Sequence, residues 1–281
     1  MAYEAEISRR NPTCFLFLID QSGSMGEAVG DGSGRRKADA LAEALNRLLM
    51  DLCIRCTKDI REGVRYYYDI GVIGYGMKNE QIGPALGGNL AGKELVSVCD
   101  LAESPLRVEQ RPVDGRMLRF PIWVDPVADN GTPMCAALRR AHDLMQQWVA
   151  KHQDSFPPIV FNITDGQATD GDPEPAALAI RQLATRDGHV LLFNLHISET
   201  PATEEQRRNW LYPGADKEAT LPDDYARLLF RMSSVLPPHI VALAQAEGMP
   251  VSTDSRGFVF NAPMTEIVRF LNIGTQPKNL R

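Results

Sequence analysis

The feature that most constrains this chain is an uninterrupted apolar run, Cys-Phe-Leu-Phe-Leu-Ile at residues 14–19, which stops abruptly at the carboxylate of Asp20. An apolar run without alternation predicts a parallel-sheet strand that is buried on both faces. The carboxyl ends of such strands line the ligand crevices of open α/β sheets. We therefore expect Asp20 at the edge of a crevice, in a domain whose central sheet is mostly parallel.

The turn after Asp20 carries two hydroxyl side chains, Ser22 and Ser24. Serine and glycine are turn residues, so the backbone can fold back and direct all three side chains at one point. Carboxylate and hydroxyl oxygens are hard ligands, and a site with few charges that keeps some waters suits Mg²⁺ better than a crowded Ca²⁺ cage. The turn therefore predicts a Mg²⁺ site, with Mn²⁺ or Ca²⁺ as alternative ions.

A third hydroxyl, on Thr132, lies at the start of a strongly periodic helical pattern. The sequence Gly-Thr-Pro-Met at residues 131–134 precedes an apolar stripe with helical spacing. Thr132 has the chemistry of an N-cap and Pro133 that of a first helical residue, so helix capping alone would explain the threonine. The oxygen ligands predicted in the turn after Asp20 support a role for Thr132 as a further metal ligand.

A second carboxylate, on Asp165, follows another apolar run at residues 159–163. The pair Asp165-Gly166 is also a common turn sequence. If parallel strands bring Asp20 and Asp165 to one crevice, each carboxylate raises the pKa of the other or the pair recruits a positive charge. The two carboxylates therefore favour a cation between them.

Together these residues resemble the metal-ion-dependent adhesion site of von Willebrand factor A domains, over roughly residues 12–197. The matching positions are Asp20, Ser22, Ser24, Thr132 and Asp165. The resemblance implies a doubly wound α/β fold with a mostly parallel central sheet, helices on both faces and one antiparallel edge strand. It also implies that the three hydroxyls bind the metal directly and the two carboxylates mostly through waters. The expected partner-binding rim consists of Gln21, Met25, Gly131 and Gly166.

The resemblance and the coordination chemistry both imply a protein–protein interaction module. A Mg²⁺ ion with few anionic ligands stays electrophilic and takes an Asp or Glu carboxylate of a partner protein as its last ligand. The alternative is a Mg²⁺-dependent hydrolase or phosphatase that uses Asp20, as in haloacid-dehalogenase-type enzymes. Those enzymes need an acidic residue two positions further on, where this chain has Ser22. We therefore expect no enzymatic activity.

Within the family, the sequence most resembles short bacterial cytosolic proteins encoded near tellurite-resistance or stress genes, often beside a protein kinase and a protein phosphatase. This implies a scaffold in a stress, signalling or defence assembly. A net charge of −6 and a pI near 5.5 argue against a nucleic-acid partner. The absence of a long apolar run or an apolar signal core predicts no membrane contact and a cytoplasmic location.

We expect one domain at residues 12–275, preceded by a lead-in at 1–11, with an embellished insertion at about 198–238, of which residues 198–222 should be solvated, and a tail at 276–281. The basic group at 34–37 is interpreted as a solvated helix start. The five cysteines are expected to be reduced core thiols, and the five histidines to be structural.

Periodicity predicts the remaining elements. Helices are expected at residues 38–52, 134–148, 176–184, 225–232, 240–246 and 264–271. Strands are expected at residues 66–75, 95–98, 117–124, 189–197 and 257–260. The strands at 95–98 and 117–124 are predicted to form an antiparallel excursion at the sheet edge, and the glycine-rich residues 76–92 to form a loop.

Overall fold

The structure is a computed structural model that describes residues 3–29, 34–59, 61, 63–77, 79, 81–113, 116–198 and 203–261. Its strands are β1 Thr13–Asp20, β2 Tyr68–Met77, β3 Gln81–Pro84, β4 Val96–Ser97, β5 Arg107–Val113, β6 Arg116–Ile122, β7 Ile159–Thr164, β8 Leu191–His196 and β9 Phe258–Phe260. Its α-helices are α1 Lys37–Arg55, α2 Val98–Glu103, α3 Met134–Lys151, α4 Glu174–Gln182, α5 Glu204–Asn209, α6 Asp224–Met232 and α7 Pro238–Ala246.

The central sheet has the strand order β3-β2-β1-β7-β8-β9, and the two-residue β4 also pairs with β2. The pairings β2-β1, β1-β7, β7-β8 and β8-β9 are parallel, whereas β3 and β4 pair antiparallel with β2. Strand order reverses at β1, because the chain adds β2 on one side of it and β7 on the other. The predicted doubly wound, mostly parallel sheet with an antiparallel edge is therefore confirmed.

Helices cover both faces of this sheet. Phe15, Phe17 and Ile19 of β1 pack in a hydrophobic cluster with α1, α2 and α7. The alternate residues Leu16 and Leu18 pack in a second cluster with α3, α4 and α6. Every residue of β1 is buried, which is why the sequence shows an apolar run there instead of an alternating pattern.

The edge of the sheet differs from the prediction. The stretch 76–92, expected to be a loop, contains β3, which forms the antiparallel edge. Its sequence Gln-Ile-Gly-Pro has no strand signal, but proline is tolerated on an edge strand. Of the expected strand at 95–98, only Val96 and Ser97 pair with β2, because α2 begins at the next residue.

The expected strand at 117–124 is present as β6, but its pairing was predicted wrongly. It pairs with β5 in a separate two-stranded ribbon and not with the central sheet. Met117 and Leu118 are exposed in this ribbon, and in β6 only Phe120 and Ile122 near its end are buried. Local β propensity predicted a strand, but only tertiary contacts select the partner strand.

The helices predicted at 38–52, 134–148, 225–232 and 240–246 are present as α1, α3, α6 and α7. The stretch 198–222 is less solvated than predicted, because Trp210, Tyr212 and Leu221 are buried. The helix expected at 264–271 lies outside the described residues. No helix in the described ranges is both long and apolar enough to cross a membrane.

Asn46 ties α1 to the segment that leads from β6 towards Thr132. Its Nδ2 donates hydrogen bonds of 2.8 Å to the carbonyls of Ala42 and Val124. Its Oδ1 accepts from the backbone N–H groups of Trp123 at 2.8 Å and Val124 at 3.1 Å. The buried amide is therefore satisfied on both ends, and it fixes the position of a segment without regular structure.

Candidate metal centre

The two predicted acidic ligands emerge at the same edge of the sheet. Asp20 is the last residue of β1, and Asp165 directly follows β7. These strands are parallel neighbours in a register that places Ile19 opposite Ile163. The carboxyl ends of β1 and β7 therefore lie side by side, as predicted.

The Asp20 carboxylate is buried, and its two oxygens have different partners. Oδ1 accepts a hydrogen bond of 2.9 Å from the backbone N–H of Ser22, and Oδ2 accepts one of 2.6 Å from the Thr164 hydroxyl. Burial raises the pKa of Asp20 to about 6, against the opposing effect of these hydrogen bonds, and the nearby Asp165 adds to the increase. A cation beside Asp20 would favour its ionised form.

A single turn of 3-10 helix, Gly23–Gly26, brings the two serines towards Asp165. The Ser24 hydroxyl donates to Asp165 Oδ1 at 2.8 Å, and the hydroxyl oxygens of Ser22 and Ser24 are 3.1 Å apart. Together with the contact between Asp20 and the Ser22 backbone, these hydrogen bonds link the side chains into one cluster of oxygen atoms at the edge of the sheet. We call the place where these oxygen atoms meet the crevice; it contains Asp20, Ser22, Ser24 and Asp165.

The segment that carries Thr132 lies against Ser22. Gly76 has φ +94°, and a Cβ atom at this position would lie 2.4 Å from the Gly131 carbonyl oxygen and 2.9 Å from the Ser22 nitrogen. Only glycine allows the two segments to approach this closely. Within the described part of the chain, the Thr132 hydroxyl makes no hydrogen bond, so it is available to a ligand.

The prediction that Thr132 caps the following helix is wrong. Helix α3 begins at Met134, and the Thr132 side chain does not cap it. Asp170 caps the helix instead, because its two carboxylate oxygens accept from the backbone N–H groups of Cys135 at 3.0 Å and Ala136 at 2.8 Å. A cap from a distant loop leaves no signal in the local sequence.

Lys37 supplies a positive charge that the sequence analysis missed. Its Nζ lies 2.8 Å from Asp165 Oδ2, 3.2 Å from Glu27 Oε2 and 3.3 Å from the Ser24 carbonyl oxygen. The Lys37 side chain is 3% exposed, so the interpretation of residues 34–37 as a solvated helix start is wrong at this residue. Lys37 lies one helical turn before Leu41 on the apolar face, and a lysine in that phase indicates a buried partner.

His196, which the sequence analysis treated as structural, packs beneath Asp165. Its Nε2 is 3.3 Å from the backbone carbonyl oxygen of Asp165, and its ring makes an edge-on contact with Phe260. Burial lowers the pKa of His196, so the imidazole is neutral at neutral pH. It therefore supports the backbone after β7 without adding charge to the crevice.

Two of the four residues predicted for the partner-binding rim are not at the surface. Gln21 and Met25 are 3% and 0% exposed, so neither side chain lies on the rim. The 3-10 turn directs Met25 into the hydrophobic core. Gly131 and Gly166 are partly exposed, and beyond Gly166 the exposed side chains of Tyr225 and Gln167 form a hydrogen bond of 2.6 Å.

The donor set fits a hard divalent cation. Among the described residues, no group of three or more His, Cys, Asp or Glu side chains is arranged to hold a metal ion. The crevice instead offers two carboxylates and two serine hydroxyls, with the hydroxyl of Thr132 on the adjacent segment. Oxygen donors with few charges suit Mg²⁺ or Mn²⁺ and disfavour soft metals.

The fold and the crevice define a doubly wound α/β domain with an oxygen-lined site at the carboxyl edge of its sheet. No family model matches the chain, and no curated protein matches its sequence. The chain is similar to the manganese-loaded TRAP protein of Plasmodium vivax, with 14% sequence identity and a TM-score of 0.43 over 93% of this chain and 72% of that chain. It is also similar to the pilus adhesin of Streptococcus pneumoniae, with 15% identity and a TM-score of 0.30 over 76% of this chain and 25% of that chain. Both TM-scores are low, so the fold is defined by the strand order and pairing of this chain and not by these two similarities.

The observed cap gives a stability prediction. Asp170→Ala removes both acceptors at the start of α3 and should lower the free energy of unfolding by about 0.5–2 kcal/mol, the usual value of an N-cap. Thr132→Ala removes no cap and only the packing of one nearly buried methyl group, so it should lower the free energy of unfolding of the metal-free protein by about 1 kcal/mol or less. Urea denaturation of both variants in chelator measures the difference. A larger loss for Thr132→Ala than for Asp170→Ala would contradict the assigned cap.

Proposed function

We propose that this protein is a divalent-metal-dependent interaction module that binds an Asp or Glu side chain of a partner protein. The observation that carries the proposal is the convergence of Asp20, Ser22, Ser24 and Asp165, with the Thr132 segment against them. Mg²⁺ is the ion that this donor set suits best. When bound, it would supply an electrophilic position for an external carboxylate.

The chain's own residues have distinct roles in this proposal. The hydroxyls of Ser22, Ser24 and Thr132 would hold the ion directly, while Asp20 and Asp165 act mostly through waters. The hydrogen bond from Ser22 to Asp20 fixes the turn. The exposed polar groups beside Gly166 would contact the part of the partner that surrounds its carboxylate.

Binding is favoured over catalysis by the surroundings of Asp20. Both of its carboxylate oxygens already accept hydrogen bonds, from the Ser22 backbone and from Thr164. The position where a phosphohydrolase would carry its general acid is Ser22, which has no acidic proton to give at neutral pH. These features support an interaction module and not a hydrolase.

A narrower proposal concerns the assembly and the cellular compartment in which the protein acts. The motif resemblance supports a scaffold in a bacterial stress, signalling or defence assembly, with a protein kinase or phosphatase encoded nearby as a candidate partner. All five cysteines are free, which supports a reducing compartment such as the cytoplasm.

The metal site is tested by calorimetry with Mg²⁺ and Mn²⁺. We expect one bound ion, and we expect Asp20→Asn to weaken it by about tenfold or more, because the variant keeps the side-chain shape but removes a negative charge. Asp143→Asn, which alters an exposed carboxylate on α3, is the matched control and should bind as the wild type does. Equal affinity of wild type and Asp20→Asn would eliminate the site.

Partner binding is tested by affinity capture in Mg²⁺ and elution with chelator. Proteins that elute with chelator should bind the Thr132→Ala variant about tenfold or more weakly, because one direct ligand of the ion is lost. The thermal stability of this variant should stay close to that of the wild type in chelator. Partners that remain bound in chelator would show that docking occurs elsewhere.

The hydrolase alternative is tested with a generic phosphomonoester in Mg²⁺. We expect no turnover above background, since no general acid accompanies Asp20. The control is Asp20→Asn purified in parallel, which reports any contaminating phosphatase. Turnover by the wild type that disappears in Asp20→Asn would replace the interaction module with an enzyme.

A further inference from the structure

Lys37 is placed as a fixed internal cation of the crevice. Among the described residues, the Lys37 ammonium group donates to acceptors on Asp165, Glu27 and Ser24. Its side chain and that of Asp165 are 3% and 0% exposed. A buried charge separated from its partner is strongly disfavoured, so this ion pair persists.

The pair restricts what Asp165 can offer to an ion. Lys37 holds Oδ2, and Ser24 donates to Oδ1. Lys37 itself cannot follow a moving carboxylate far, because it is the first residue of α1, whose Leu41 and Leu45 are packed in the core. Asp165 is therefore held in one orientation with one of its oxygens already neutralised.

The three buried charged side chains at the crevice do not cancel one another. Within the described part of the chain, the buried side chains of Asp20 and Asp165 contribute two negative charges and that of Lys37 one positive charge, which leaves one negative charge among the three before an ion is bound. The third carboxylate, Glu27, is 56% exposed and is screened by solvent. A divalent cation would therefore leave the crevice with one net positive charge. Without Lys37, the same sum would be zero.

We propose that Lys37 is a positioning residue that keeps Asp165 out of direct contact with the metal and makes the loaded crevice selective for an anionic ligand. This inference rests on the proposed function. Because Lys37 holds the Asp165 carboxylate, the ion accepts a carboxylate from outside the chain instead of that of Asp165. The sign of the effect separates this role from a merely structural one. Loss of Lys37 should weaken carboxylate binding without weakening metal binding.

The test uses Mn²⁺, whose coordinated waters are counted by water-proton relaxation, with acetate as the carboxylate probe. In the wild type at about pH 7.5, acetate should lower the relaxivity by replacing a bound water. In Lys37→Met, the released Asp165 should bind the ion directly. The relaxivity should then start lower, acetate affinity should fall by about tenfold, and Mn²⁺ affinity should be equal or higher.

Two further variants complete the experiment. Arg36→Met removes a neighbouring positive charge that is exposed and paired with Asp39, and it should behave as the wild type in both titrations. If Lys37→Met does not fold, Lys37→Gln, which keeps a donor but removes the charge, should still lose acetate affinity by about tenfold.

The outcomes are distinguishable. Unchanged relaxivity and acetate affinity in the folded Lys37 variant would overturn the role of Lys37 while leaving the metal site intact. A parallel loss of Mn²⁺ and acetate affinity would also overturn it, because that pattern reports a damaged fold. No Mn²⁺ binding by the wild type would overturn the proposed function, and this inference with it.

Discussion

The crevice depends on the parallel pairing of β1 with β7. Because both strands are buried on both faces, their carboxyl ends are held in fixed register, and the side chains that follow them have little freedom. Asp20 and Asp165 are consequently forced close together at one edge. Two carboxylates in this position require positive charge, and Lys37 supplies part of it through its ion pair with Asp165.

A chain of buried hydrogen bonds beneath the crevice keeps the strands in this register. Tyr75 of β2 donates to Asn162 of β7, Asn162 to Asn194 of β8, and Asn194 to Ser233 just after α6, each at 2.9 Å. A shift of any one strand would leave buried polar groups unsatisfied. The network therefore disfavours other registers and connects the floor of the crevice to the 198–238 stretch.

The two carboxylates of the crevice are compensated unequally. Lys37 neutralises Asp165 from within the fold, whereas Asp20 accepts hydrogen bonds only from uncharged groups, and burial raises its pKa to about 6. The crevice is thus balanced on one side and short of positive charge on the other. In our proposal this asymmetry directs the metal towards Asp20 and the serines, and leaves its remaining position to a partner.

The sequence by itself determined the strand ends and most of the crevice, because an apolar run that stops at Asp20 or Asp165 is a local signal of a buried strand and its edge. Tertiary structure alone decided which strand pairs with β6, which side chain caps α3 and where Lys37 points. Each of these depends on a contact between residues far apart in the chain, such as the 128-residue separation of Lys37 and Asp165. Local propensity is the same whether or not such a contact forms, so no short stretch of sequence records it.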